Sequence, residues 1–209
     1  SMQTERWLIA LVAAASVVLG GVAAALHDDI EHVLGYSIVQ DAGIALLSFA
    51  IIRPEAGPAG RDWLVGIVAV KSGLAAWVLV TRSTFRVRRL SELRGWARSA
   101  PILGIAFGLV LLGAVGLPGM ATFAARGVLT ELALPAPLDV AVLVAAFAPI
   151  AYLGRILVIG LDRMSEPVRN AEGARIRLHG LRRAGWSAAP LPSVLRAIPA
   201  AVRLNGLVL

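Results

Sequence analysis

"LVGIVAVKSGLAAWVLV", residues 64–80, is an apolar run of membrane-spanning quality with one charge near its middle. That charge is Lys71, the only lysine in a chain whose other nineteen basic residues are arginine. A helix rises about 1.5 Å per residue, so the Lys71 ammonium lies too deep in a span to reach the head groups comfortably. A central cation costs roughly 2.5–3.5 kcal/mol on insertion scales, so a carboxylate partner or a water-filled cavity must offset it.

The composition indicates an integral membrane protein. Of the 209 residues, 58% are hydrophobic and 16% are charged, with a mean hydropathy of +0.78. Soluble domains carry about 25% charged residues. The net charge of +7 comes largely from arginines between the apolar runs, where the positive-inside bias and anionic lipids explain them better than nucleic acid does. With no cysteine and three histidines, we expect neither a metal site nor a redox cofactor.

The pattern predicts an all-α, polytopic transmembrane helix bundle with five spans, at residues 7–26, 33–52, 63–81, 101–132 and 138–161. The prolines and glycines of "RPEAGPAGRD", residues 53–62, predict a polar loop. Residues 116–119, "GLPG", predict an interruption of the fourth span, because proline lacks an amide donor and glycine is permissive. Two separate spans are the alternative, but each half has only about 14–16 residues and a crossing needs about 20. Pro149 predicts a kink in the last span.

The distribution of arginine supports a single crossing by the broken helix. Residues 82–100 contain six arginines and one glutamate. A single crossing puts this segment on the same side as the basic tail, as the positive-inside rule expects. The acidic turn at residues 27–32, "HDDIEH", shares that side, but acidic residues contribute little to the rule. We expect residues 1–165 to form the bundle and residues 166–209 to form a basic tail that is interfacial or incomplete.

Three charged residues inside the spans are candidates for function. Arginine stays protonated in proteins, whereas a desolvated lysine can release its proton near neutral pH. Lys71 is therefore a candidate proton-relay group, with a structural ion pair as the alternative. Asp41 is a proton acceptor, the partner of Lys71, or a cap on a local bend near Gly43. Arg126 follows the helix interruption and is a functional fixed charge or a cap on loose carbonyls.

Other polar residues near the span ends favour structural interpretations. Glu131 is expected to be solvated, and Arg155 is expected to anchor the last span at the interface. His27 and His32 lie in the acidic turn, where a solvated histidine is the commoner case.

Four segments in order resemble one known family. Residues 32–47, "HVLGYSIVQDAGIALL", resemble its segment "KRLLAYSSIxHxGYxLL". Residues 68–80 place Lys71 where that family has a lysine in a "KALLFLGxG"-like helix. Residues 89–129 resemble the broken helix of the family, and residues 151–161, "AYLGRILVIGL", resemble "YYYLRVxxxMY". The family is that of the antiporter-like membrane subunits of respiratory complex I, closest to the N type, and it includes subunits of Mrp antiporters and membrane-bound hydrogenases.

The resemblance implies a proton-translocating subunit in which buried lysines and glutamates, linked by water, relay protons along the membrane midplane. Lys71 is then the lysine of the central axis. Arg126 stands where the family has a lysine in the broken helix, and Asp41 stands where it has histidine or glutamine. The spans correspond to the later ones of a fold with about fourteen.

The leading hypothesis is a proton-translocating membrane subunit, or the C-terminal portion of one, of a complex I-like NADH-quinone oxidoreductase. It has no redox centre of its own and lies in the inner or plasma membrane, with other membrane subunits and the lipid bilayer as partners. A subunit of a cation/proton antiporter and a non-transporting membrane scaffold are the alternatives.

Overall fold

The fold is a bundle of α-helices, and the computed structural model describes residues 2–183, with side chains through residue 174. The first three helices are long: α1 Met2–Leu26, α2 Ile30–Ala50 and α3 Ala56–Phe85. The later helices are shorter: α4 Trp96–Ser99, α5 Pro101–Val115, α6 Ala121–Ala133, α7 Leu138–Ala145, α8 Pro149–Leu161 and α9 Glu166–Arg183.

Length and hydropathy identify the membrane-crossing part of the bundle. Four stretches are long and apolar enough to span a membrane: Met2–Leu26, Ile30–Ala50, Ala56–Phe85 and Leu138–Leu161. Helix α5 is a shorter apolar helix at the place of the predicted broken span. The predicted all-α polytopic bundle is therefore confirmed.

The chain divides into two units, residues 1–171 and 172–209. All features discussed below belong to the first unit. The predicted division into a bundle of residues 1–165 and a basic tail stays a prediction, and the part of that tail beyond residue 183 lies outside the described residues.

Helices α1 and α2 pack at close range through glycines. A Cβ atom added to Gly43 of α2 would lie 2.8 Å from the carbonyl oxygen of Ala13 in α1. One added to Gly20 of α1 would lie 2.7 Å from the amide nitrogen of Gln40 in α2. Small residues let helix backbones approach in this way, which is the usual means of helix association in a membrane.

The predicted polar loop at residues 53–62 is wrong for its last seven residues, which are helical. Helix α3 begins at Ala56, so the interruption between α2 and α3 covers only residues 51–55. The single proline within this start of α3 is Pro58, in the first turn. A proline is tolerated there because the first amides of a helix have no intrahelical acceptor.

The bundle contains two helix breaks. The first covers residues 116–120, between α5 and α6, where Gly116 and Gly119 have φ angles of 64° and 96° that favour glycine. This is the predicted broken helix. The second covers residues 146–148, between α7 and α8, where the sequence predicted only a kink at Pro149. Pro149 begins α8, a position at which its missing amide hydrogen is not needed.

The acidic turn and the arginine-rich segment meet at one end of the bundle. The Ile30 amide donates to the Arg88 carbonyl at 3.0 Å, and the Leu90 amide donates to the Asp28 carbonyl at 2.7 Å. At the same end the Ser165 amide donates to the Arg94 carbonyl at 3.0 Å. The segments before α5 and after α8 therefore lie on one side, so the broken helix α5–α6 crosses once, giving five crossings. We call this end the arginine face.

Ion pairs neutralise the acidic turn. The Glu31 carboxylate binds the guanidinium groups of Arg82 and of Arg88, the latter at 2.9 Å. The Asp28 carboxylate accepts from the Ser91 hydroxyl at 2.8 Å and lies 3.4 Å from the Arg155 guanidinium. The acidic residues are thus compatible with the most basic face of the protein.

We expect Glu31→Gln to lower the free energy of unfolding by about 1 kcal/mol at low salt, because exposed ion pairs contribute at most that much. The effect should vanish near 1 M salt, where the screening length is about 3 Å. Unfolding by SDS in mixed micelles measures it. Glu131→Gln is the control, since Glu131 is exposed and has no ion-pair partner among the described residues. Equal effects of the two substitutions would contradict the assignment.

Candidate functional site: a buried ion pair beside two helix breaks

Lys71 and Asp41 form an ion pair inside the bundle. The distance from Lys71 Nζ to Asp41 Oδ2 is 2.9 Å, and the side chains are 12% and 9% exposed. Lys71 lies near the middle of α3, about 21–23 Å from either end at 1.5 Å per residue. Apart from this pair, the ammonium has no hydrogen-bond partner among the described residues. The structure therefore brings two of the three candidate residues into contact at mid-depth.

The surroundings of Asp41 exclude the alternative that it caps a bend. Helix α2 continues without interruption through Gly43 to Ala50. The indole nitrogen of Trp63 on α3 donates to the Asp41 backbone carbonyl at 3.0 Å. Helices α2 and α3 are thus joined at this depth by the ion pair and by the indole. Trp63 is 3% exposed and packs inside the bundle at this depth.

Arg126 is buried between the two helix breaks. Its side chain is 1% exposed, and its guanidinium donates to the Ala146 carbonyl at 3.1 Å and to the Val115 carbonyl. Val115 ends α5 and Ala146 follows the end of α7, so both carbonyls lack the next helical amide. The guanidinium carbon also lies 4.4 Å from the ring centre of Phe147. Arg126 therefore donates a hydrogen bond to one unpaired backbone carbonyl at each of the two breaks.

Trp63 contacts both Arg126 and the backbone of Asp41. The Arg126 guanidinium carbon lies 5.6 Å from the centre of the Trp63 ring, whose nitrogen binds the Asp41 carbonyl. The Arg126 guanidinium also attracts the Asp41 carboxylate electrostatically. The three predicted candidates thus form one cluster with a single carboxylate and two cations.

Sequence reasoning missed three polar residues at this cluster. Ser37 lies one helical turn before Asp41 and donates to the Leu34 carbonyl at 2.7 Å. The Gln40 amide donates to the Ala145 carbonyl at 3.1 Å, near the second break. Tyr152 on α8 is 1% exposed and lies beside the Ser37 hydroxyl. The available signal was the presence of hydroxyl and amide groups inside otherwise apolar spans.

The remaining polar candidates lie outside the cluster. Glu131 is exposed, as predicted. Arg155 is 40% exposed and donates to the Ala25 carbonyl at 3.0 Å, next to the acidic turn. The rings of His27 and His32 stack with their centres 5.5 Å apart at the same end. Among the described residues no group of three or more histidines and carboxylates could hold a metal ion.

The fold and the cluster define a class of protein: a polytopic helical membrane protein with ionisable groups at mid-depth beside interrupted helices. Such groups mark ion pathways, and broken helices inside a membrane commonly border them. The chain belongs to the family described as "NADH:quinone oxidoreductase/Mrp antiporter, TM", whose sequence model matches residues 2–151. The predicted resemblance is confirmed, and the chain is a multi-pass protein of the inner or plasma membrane.

Individual relatives agree with this assignment. NADH-quinone oxidoreductase subunit N of Parvibaculum lavamentivorans is 28% identical over 173 residues, covering 80% of this chain and 36% of the relative. Subunit N of Dehalococcoides mccartyi is 30% identical over 178 residues, covering 79% and 36%. Subunit 14 of Thermus thermophilus is 37% identical over 115 residues, covering 55% and 26%. The chain therefore spans about a third of the length of the curated relatives it matches.

A solved structure shows the same fold. The chain superposes on a chain of respiratory complex I from Thermus thermophilus with bound NADH, with a TM-score of 0.70 and 20% identity. The match covers 85% of this chain and 40% of the other.

Proposed function

We propose that this chain is a proton-translocating membrane subunit, or part of one, of a complex I-like NADH-quinone oxidoreductase, in which Lys71 relays protons. The Lys71–Asp41 ion pair carries the proposal. The Lys71 nitrogen, 12% exposed and at mid-depth, lies 2.9 Å from the Asp41 carboxylate, which is within the distance for direct proton transfer. Intramembrane pairs of this kind are typical of proton relays.

A second, fixed positive charge near Asp41 supplies a physical basis for the relay. While Lys71 is protonated, the carboxylate neutralises the ammonium. When Lys71 releases its proton, Arg126 remains a cation, because arginine keeps its proton in proteins. The Asp41 carboxylate then still experiences the positive charge of Arg126 and is not left as an uncompensated buried charge. Arg126 thus acts as a fixed charge beside a titrating one.

The relatives suggest the partners. Each is named as a subunit of NADH-quinone oxidoreductase, and this chain covers only about a third of their length. The proposed partners are therefore other membrane subunits of a multisubunit complex, within the lipid bilayer. In this proposal, electron transfer belongs to other subunits of the complex.

Two observations favour other functions. The family description includes Mrp antiporters, so a subunit of a cation/proton antiporter is the second candidate. Co-purification with redox subunits or with antiporter subunits separates the two. The hydrogen bonds from Arg126 to two backbone carbonyls favour a structural role for that residue. A structural role is what a non-transporting membrane scaffold would need.

Proton movement in inside-out vesicles of native membranes tests the relay. We expect Lys71→Ala and Lys71→Arg each to lower the rate by about a hundredfold, the lower end for loss of a proton-transfer group. Arginine keeps the charge but cannot release a proton. Arg61→Ala, at an exposed cation on the same helix, is the control and should leave the rate unchanged. A Lys71→Arg variant that pumps normally would reject the relay in favour of a structural ion pair.

A further inference from the structure

The Tyr152 hydroxyl is a buried polar group that nothing in the described part of the chain satisfies. The side chain is 1% exposed, and its oxygen has no hydrogen-bond partner there. It lies beside the Ser37 hydroxyl and interacts electrostatically with Asp41 and with Arg126, the charged groups around it. Ser37 donates its own proton to the Leu34 carbonyl, so toward Tyr152 its oxygen can only accept. Buried hydroxyls of this kind ordinarily bind an ordered water.

The buried side-chain atoms of α2 and α3 that lack a partner among the described residues are distributed unevenly about the ion pair; besides Lys71 Nζ they are Gln40 Oε1, Trp77 Nε1 and Thr81 Oγ1. The two helices are antiparallel, and their alignment is fixed by the contacts Asp41–Lys71 and Glu31–Arg82. Ser37 is one turn, or about 6 Å, from Asp41 toward the arginine face. Thr81, next to Arg82, is fully buried, and its hydroxyl also lacks a partner among the described residues.

The opposite direction along the same two helices is different. Residues 42–50 of α2 and 56–70 of α3, all within the described chain, contain no buried side-chain polar atom without a partner. The Ser48 hydroxyl there donates to the Ala45 carbonyl at 2.7 Å. Ile44 and Leu47 are fully buried and continue the apolar core on that side of the pair. Among the described residues of α2 and α3, the buried polar atoms without a partner therefore lie between the ion pair and the arginine face.

We infer that the Tyr152 hydroxyl, through a bound water shared with Ser37, is the group by which the Lys71–Asp41 pair exchanges protons with the arginine face. This inference rests on the proposed relay. In each transfer the phenol oxygen takes one proton from the water side as it releases its own proton toward the pair. The phenol is unchanged afterwards, so Tyr152 needs no co-reactant other than water. Thr81 holds the next water toward the surface.

The substitution Tyr152→Phe tests the inference, because it removes the hydroxyl and keeps the ring that packs in the core. Proton movement is measured in inside-out vesicles of native membranes, in which the arginine face is expected to point outward. We expect the rate at neutral pH to fall about tenfold, below the loss expected for Lys71→Ala, since water can still reach the pair more slowly. Tyr36→Phe is the control, because Tyr36 is the other tyrosine and packs against His27 outside the cluster.

The pH dependence separates a proton path from a packing defect. If proton supply through Tyr152 is lost, the rate in Tyr152→Phe should rise as the external pH falls, because a higher proton concentration compensates for a slow entry. A packing defect lowers the rate by the same factor at every pH. Ser37→Ala should show the same acid-dependent recovery to a smaller extent.

The outcomes distinguish this inference from the proposed relay. Loss of transport in Lys71→Ala together with a normal rate in Tyr152→Phe overturns the inference and leaves the relay intact. A reduced rate in Tyr152→Phe with no recovery in acid also overturns it. If Lys71→Ala itself transports normally, the proposed relay fails and the inference fails with it.

Discussion

Removing the Asp41 carboxylate alone, as in Asp41→Leu, should lower the free energy of unfolding by about 3–5 kcal/mol. The substitution leaves the Lys71 ammonium buried at mid-depth without a counter-charge, and the rest of its described surroundings offer no hydrogen-bond acceptor. The size of the effect reflects the unpaired charge more than the lost attraction. Unfolding by SDS in mixed micelles, followed by circular dichroism, gives the measurement.

The double substitution Asp41→Leu with Lys71→Met should recover most of that loss, because well-packed apolar residues replace a buried ion pair at little cost. The same protein should not transport protons. Asp62→Leu is the control, since Asp62 pairs at 3.3 Å with Arg61 at an exposed site and should cost less than about 1 kcal/mol. A double variant no more stable than Asp41→Leu would show that the two side chains do not depend on each other.

The second large effect is expected at Arg126. Arg126→Met should cost about 4 kcal/mol, because it removes two charge-assisted hydrogen bonds, to Val115 and Ala146, and the contact with Phe147. Arg126→Lys should recover less than half of this. A single ammonium is not the planar fork that serves two carbonyls at once.

Amide hydrogen exchange locates the damage. We expect faster exchange at the starts of α6 and α8, next to the two breaks, and little change in α1. Arg155→Met is the matched control, because the Arg155 guanidinium also donates to helix-end carbonyls, at Ala25 and His27, but from a 40% exposed position. It should cost less than about 1 kcal/mol. If Arg126→Met loosens α1 as much as α6 and α8, Arg126 is not a local cap.

Much of the architecture was predictable from the sequence because membrane spans follow from length and hydropathy alone. Lys71 stood out because a cation in an apolar run needs a partner. The break at residues 116–119 was predictable because glycine and proline act locally. Both conclusions need only the residues nearby in the sequence.

What the sequence left open depends on how the helices are aligned. Asp41 became the partner of Lys71 only through the antiparallel packing of α2 on α3. The contacts of Arg126 depend on two breaks meeting at one depth, and the break at residues 146–148 has no glycine to mark it. Tyr152 resembled any aromatic residue of an apolar span. The start of α3 was misplaced because the proline of a first helical turn resembles the proline of a loop.

The five-residue connection between α2 and α3, residues 51–55, bears on how the chain enters the bilayer during synthesis. A segment carrying Lys71 alone would leave the translocon with an uncompensated cation facing lipid. Delivered together with the preceding segment as a helical hairpin, it enters with Asp41 already opposite, and the inserted unit is neutral at its centre. We therefore expect α2 to stay in the translocon until α3 has joined it, so that the two helices enter the bilayer together.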